Sequence, residues 1–112
     1  MIKSYTEEYQ SYIKKFDHYP MKTALLTYGL GLGGEAGEVQ EKIKKLYRDH
    51  GGEITPEFKQ AMKKEMGDVL WYLGMICNKL GLDLEGCMTS NIVKMTYLIP
   101  PCSRMDILIC YQ

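Results

Sequence analysis

Apolar residues recur along this chain at the spacing of one helical face, and breaks in that spacing divide it into four helices. Tyr5, Tyr9, Tyr12, Ile13 and Phe16 keep helical register until Asp17-His18-Tyr19-Pro20 interrupts it. From about Lys22 to Arg48, the residues Leu25, Tyr28, Leu32, Ala36, Val39, Ile43 and Leu46 share one side, and Gly51-Gly52 ends the run. Thr55 before Pro56 reads as an N-cap followed by proline at the first helical position. It opens a third helix carrying Phe58, Met62, Val69, Leu73, Ile76 and Leu80, closed by Gly81. Asp83 caps a fourth helix through about Met95, ahead of Pro100-Pro101. β-Branched alternation is almost absent, so the predicted class is all-α and the architecture a helical bundle.

The two long middle helices repeat one motif, Glu35-Ala36-Gly37-Glu38-Val39 and Glu65-Met66-Gly67-Asp68-Val69. Acids three residues apart stack on one side of a helix. With Glu35 at zero, Glu38 falls at about 300° while Tyr28, Leu32, Val39, Ile43 and Leu46 fill about 20° to 80°. Setting Glu65 to zero puts Asp68 at about 300° and Met62, Val69, Leu73 and Ile76 across the same apolar arc. Both pairs border the apolar stripe, so an antiparallel hairpin of the two helices lines one groove with carboxylates. Acids gathered this way repel one another unless a cation sits among them. An oxygen-only donor set selects magnesium or manganese, and magnesium points to phosphate chemistry. A lone E-x-x-E is ordinarily a solvated face. The doubling, the position at the stripe edge and a glycine inside each motif favour a metal site. Gly37 and Gly67 each disfavour a helix interior by about 1 kcal/mol relative to alanine, which predicts close packing at both.

Composition narrows the classes. A chain of 112 residues is one domain with a modest core. Fourteen basic residues balance fourteen acidic ones, so no global field draws nucleic acid or an anionic membrane, and neither partner is expected. No apolar run approaches the roughly 20 residues that span a bilayer. The opening Met1-Ile2-Lys3-Ser4-Tyr5 lacks a signal-peptide core, and a cytoplasmic location is the expectation. Cys77, Cys87, Cys102 and Cys110 show no C-x-x-C spacing, and His18 and His50 complete a poor zinc donor set, so reduced thiols are expected.

Residues around the acids extend the picture. Lys42 and Lys45 continue the acidic edge at about 340° and 280°, within reach of phosphate oxygens. The alternative is solvated lysines paired with Glu38 and Glu41. Tyr72 lies one turn beyond Asp68 and is either a ligand contact or a partly buried core tyrosine. The stripe Tyr5, Tyr9, Tyr12 and Phe16 is expected in the core in preference to stacking a base. Trp71 faces away from the acids and is expected against the first helix or a second subunit. Gly29-Leu30-Gly31-Leu32-Gly33-Gly34 contains G-x-G-x-x-G, but no strand precedes it, and acids stand where a pyrophosphate needs positive potential. The dinucleotide reading therefore fails. Gly31, at about 320° on the acidic side, is expected to leave room for ligand.

At these motifs the chain resembles the MazG-like nucleotide pyrophosphohydrolases of the all-α NTP pyrophosphatase group. The likeness is carried by Leu32-Gly33-Gly34-Glu35-Ala36-Gly37-Glu38-Val39 and by Glu65-Met66-Gly67-Asp68-Val69-Leu70-Trp71-Tyr72. It extends to Glu8-Tyr9-Gln10 and Asn91-Ile92-Val93-Lys94. The resemblance implies a four-helix, mostly antiparallel bundle. It also implies Mg²⁺-dependent hydrolysis of a nucleoside triphosphate to a mono- or deoxymonophosphate and pyrophosphate, with Mn²⁺ as a substitute ion. Glu35, Glu38, Glu65 and Asp68 match the family's metal-binding acids. One of the four is expected to accept the proton of the attacking water as well, and Glu38 is the favoured one, although sequence alone does not order them. Tyr72 resembles a nucleotide-contacting position, and Asn91 and Lys94 match an Asn-x-x-basic element that looks like a sugar and phosphate contact. Assembly as a homodimer or homotetramer is implied as well. A phosphoribosyl-ATP pyrophosphohydrolase and a dimeric dUTPase share this scaffold, and a catalytically silent helical adaptor is the reading from another class.

Residues 1–97 make up the expected helical domain and 98–112 a tail that departs from the family pattern. Leu98, Ile99, Ile107, Leu108, Ile109 and Cys110 are apolar, and Pro100-Pro101 stop the helix, so the tail is expected at a subunit interface.

Overall fold

The computed structural model describes residues 3–98, and every described element is helical. Helix α1 spans Tyr5–Ile13 and continues into a 3₁₀ turn, Lys14–Phe16. Helices α2 (Met21–His50), α3 (Pro56–Leu80) and α4 (Leu84–Leu98) follow. Their ends lie where side-chain chemistry places them. The Ser4 hydroxyl accepts from the Glu7 N–H at 3.2 Å, and Thr55 Oγ1 accepts from the Phe58 N–H at 3.1 Å, each satisfying a donor that the first helical turn leaves free. Gly51 and Gly81 close α2 and α3 with φ of 60° and 68°, a backbone region hostile to a β-carbon. The Asp83 carboxylate takes the Gly86 N–H at the start of α4. Helix α4 reaches Leu98, beyond the expected end near Met95. The tail expected at an interface lies outside the described residues from position 99 onward.

Helices α2 and α3 form an antiparallel hairpin, in which the start of α2 meets the end of α3. Tyr28 packs edge-on against Trp71, and Lys42 reaches Glu65. The core is small: Ile13, Ala24, Tyr28 and Met75, with Tyr9, Trp71, Tyr72 and Ile76 packed around it. Tyr28 is fully buried, and its hydroxyl donates to Asp17, which also pairs with Lys79. Those two hydrogen bonds hold the Asp17 carboxyl below the usual carboxylate range, while burial and the same aspartate push the Tyr28 hydroxyl well up. The link between α1 and α2 is thereby tied to the end of α3.

A second polar tie fixes α1. Gln10, buried, donates from Nε2 to Asn78 Oδ1 at 2.9 Å and to the Leu82 carbonyl at 2.7 Å. Its Oε1 accepts from the Leu84 N–H at 2.9 Å, so one amide bridges α1, α3 and the start of α4.

Several expectations are corrected by this packing. The aromatic stripe of α1 is not core: Tyr5 is 84% exposed, Tyr12 and Phe16 are exposed, and only Tyr9 packs on the core. Gln10 and Ile13 are the residues α1 buries. Contact with α3 falls on the side where Ile13 and Tyr9 meet the bare backbone of Gly74. Trp71 packs on the core cluster that includes Ile13, edge-on to Tyr28 of α2 and to its neighbour Tyr72. Gly37 and Gly67 are not sites of close packing, since a β-carbon at either would meet nothing within 4 Å. Among the described residues no helix is long and apolar enough to cross a membrane.

Candidate metal centre

The antiparallel crossing of α2 and α3 brings Glu35 opposite the stacked pair Glu65 and Asp68. One carboxylate oxygen from each lies within 4.8 Å of the others. Glu35 and Glu65 are half-buried and Asp68 is exposed, so the cluster sits at the rim of the interhelical groove. Partial burial, then the charges of Asp68, Glu65 and Glu38 in that order, raise the Glu35 carboxyl above its ordinary value. Glu38, one turn further along α2, is exposed and stands outside the three-acid cluster, although its charge reaches Glu35.

The lysines part company. Lys42 Nζ lies 3.5 Å from Glu65 Oε1 and thus places a cation from α2 against the cluster, across the hairpin. Lys45 turns instead to Glu41 at 3.7 Å, the surface pairing of residues one turn apart, and Lys44 joins the same acid at 3.3 Å.

Tyr72 lies over Gly31, where a β-carbon would overlap its ring, and stands edge-on to Trp71. The space left by that glycine is filled by the tyrosine, which corrects the expectation of a vacancy for ligand. Its ring also packs on the core cluster.

Tyr9 is the neighbour that periodicity did not reveal. Burial, and then the charge of Asp68, push its hydroxyl up, so the field of the acids reaches it. Nothing in the local sequence carries that signal, since it depends on α1 lying across α3. An apolar groove of about 640 Å³ runs past Gly67 there, lined among others by Tyr5, Tyr9, Leu70, Leu73, Met88 and Asn91. Asn91 therefore faces the same groove as the α3 motif. Lys94, with Ser90 and Asn91, lines a more polar hollow of about 620 Å³ at the α3–α4 turn.

Residues 23–102 match the MazG nucleotide pyrophosphohydrolase domain, a span that holds α3, α4, nearly all of α2 and all four acids of the repeated motif. The chain belongs to that family. It is also similar to the Gene 37 protein of Mycobacterium phage L5, 41% identical over 66 residues, which is 59% of this chain and 58% of that protein. The chain thus spans little more than half the length of this curated relative. No solved structure matches it.

For a MazG-family domain the donor set is apt. Three carboxylates from two rigid helices, with no sulfur or imidazole among them, suit a hard divalent cation that keeps part of its water shell. Lys42 supplies a positive charge against Glu65 of the same cluster.

Proposed function

We propose that the chain is a divalent-cation-dependent nucleoside triphosphate pyrophosphohydrolase, releasing a nucleoside or deoxynucleoside monophosphate and pyrophosphate. Mg²⁺ is the ordinary ion and Mn²⁺ replaces it. The observation that carries this reading is the convergence of Glu35, Glu65 and Asp68 from facing helices of a MazG-family domain. An ion held by these acids supplies charge neutralisation, both for the triphosphate oxygens and for the departing pyrophosphate.

The remaining work falls to side chains. Glu38 accepts the proton of the water that attacks the α-phosphorus, as the bond to the bridging oxygen breaks and pyrophosphate leaves. Its exposure one turn from the three-acid cluster supports that role, alongside a share in holding the cation. Lys42, which here neutralises Glu65, turns to the phosphate oxygens once a cation takes over the acid. Lys45, Tyr72, Asn91 and Lys94 complete the substrate contacts, Asn91 from the groove beside Gly67.

The active form is a homodimer or homotetramer. A core of six buried apolar residues among those described, beside exposed Leu26, Leu30, Met66 and Leu70, supports this, since burial in a partner would supply the missing apolar contact. The deciding experiment is a release assay over canonical and modified nucleoside triphosphates with Mg²⁺, reading pyrophosphate and orthophosphate separately. Pyrophosphate with the matching monophosphate is expected. Orthophosphate release, or no turnover with any triphosphate, would sink the reading and favour the adaptor.

A further inference from the structure

Cys77 and Cys87 belong to different helices and are separated by the turn that joins α3 to α4. Their sulfurs nevertheless stand 3.8 Å apart, and both are free thiols. Cys77 is buried in the last turn of α3, and Cys87 is exposed in the first turn of α4. Both line the apolar groove that passes Gly67. The contact falls where α4 is held: the Leu84 N–H on Gln10, the Glu85 carboxylate on Ser4 and the Asp83 cap all lie within a turn of Cys87. Beyond that turn α4 buries no residue.

We propose that Cys77 and Cys87 form a reversible disulfide that latches α4 to α3 along the wall of this groove, with a low-molecular-weight disulfide as the oxidant. The exposed Cys87, as thiolate, attacks one sulfur of the oxidant, and the first small thiolate leaves. The Cys77 thiol gives its proton to that thiolate and attacks the Cys87 sulfur, expelling the second small thiolate, which takes a proton from water. The protein loses two electrons and two protons to the oxidant, which ends as two thiols. The order follows from access: burial and the neighbouring Cys87 push the Cys77 thiol up to about 11, so it is the poor first nucleophile and the resolving one. A short helix–turn–helix loop is closed by the bond, and the sulfurs need approach by less than the width of an atom to reach bonding distance.

The test uses the full chain with Cys102→Ser and Cys110→Ser, so that only this pair remains. After incubation with glutathione disulfide, intact mass is expected to fall by two hydrogens. Trypsin should then yield residues 65–79 joined to residues 80–94, and dithiothreitol should separate them. Amide exchange along α4 is expected to slow in the oxidised form and recover on reduction. In the same background Cys87→Ser should leave Cys77 unmodified, whereas Cys77→Ser should hold a stable glutathione adduct on Cys87. The proposal is overturned if the two-cysteine protein stops at a glutathione adduct, if both thiols stay free for alkylation, or if the linkage joins two chains.

Discussion

At the scale of single residues, the acids divide by what they touch. Glu35, Glu65 and Asp68 share one small volume, whereas Glu38 sits a turn away in solvent, and the two positions predict different losses. Asp68→Asn is expected to abolish both Mn²⁺ binding and pyrophosphate release. Glu38→Gln should keep Mn²⁺ binding within a few-fold and lower turnover by about 10²- to 10⁴-fold, the range of a lost general base. Paramagnetic relaxation by Mn²⁺ with a release assay on the same samples separates them, and equal loss of ion binding in both would place Glu38 among the ligands. The glycines divide in the same way. Gly37→Ala has open space and is expected to stabilise by about 0.5–1 kcal/mol in urea unfolding. Gly31→Ala drives a methyl group into the Tyr72 ring and should destabilise by about 1–3 kcal/mol, relieved by Tyr72→Leu.

At the scale of elements, two polar ties, one on the buried Gln10 and one on the half-buried Asp17, join helices that share only a small core. Gln10 joins α1 to α3 and α4, and Asp17 joins the α1–α2 link to Tyr28 and Lys79. Asp17→Asn keeps the shape but removes the charge, and it should weaken the fold by about 1–3 kcal/mol, since the Tyr28 hydroxyl loses a charged acceptor in the interior. The pH dependence has a fixed sign. The folded Asp17 carboxyl is held low, so its stabilisation is fully present above the ordinary carboxylate range. It fades as pH falls through the lowered value. Wild type and Asp17→Asn should therefore converge in melting temperature as the solution is acidified below about pH 4. A gap that stays constant into strong acid would refute the assignment.

At the scale of the molecule, the proposed function predicts that the acid cluster couples ion binding to stability. The Glu35 carboxyl is raised, so its contribution to the apo fold is greatest below the ordinary carboxylate range and is lost as pH rises through the raised value. A divalent cation needs the ionised form and reverses that loss. Saturating Mg²⁺ is thus expected to raise the melting temperature, and by more at neutral pH than near pH 4.5. A shift that is absent at neutral pH, or identical at both, would detach the ion from these acids. The exposed apolar residues of α2, α3 and α4 belong to this scale too, and the proposed homo-oligomer would cover them.

The sequence by itself determined the helices, their caps and the place of the acids on them. Thr55-Pro56, Gly51, Gly81 and Asp83 act through their own neighbours, and a 3.6-residue period carries Glu35, Glu65 and Asp68 to the edge of an apolar stripe whatever lies opposite. The MazG resemblance rested on those same local motifs, and the family match bears it out. What only the tertiary structure decided are the partners. Lys42 meets Glu65, Tyr72 fills the space over Gly31, Tyr9 reaches Gly74, and Cys77 finds Cys87. The same cause exposes most of the α1 aromatic stripe and leaves Gly37 and Gly67 in open space. A period describes one helix in isolation, whereas these contacts depend on the register and crossing of two or three helices. That crossing is set by the whole of the packing, with Gly74, Ile13 and Tyr28 at its centre, and no local stretch of the chain records it.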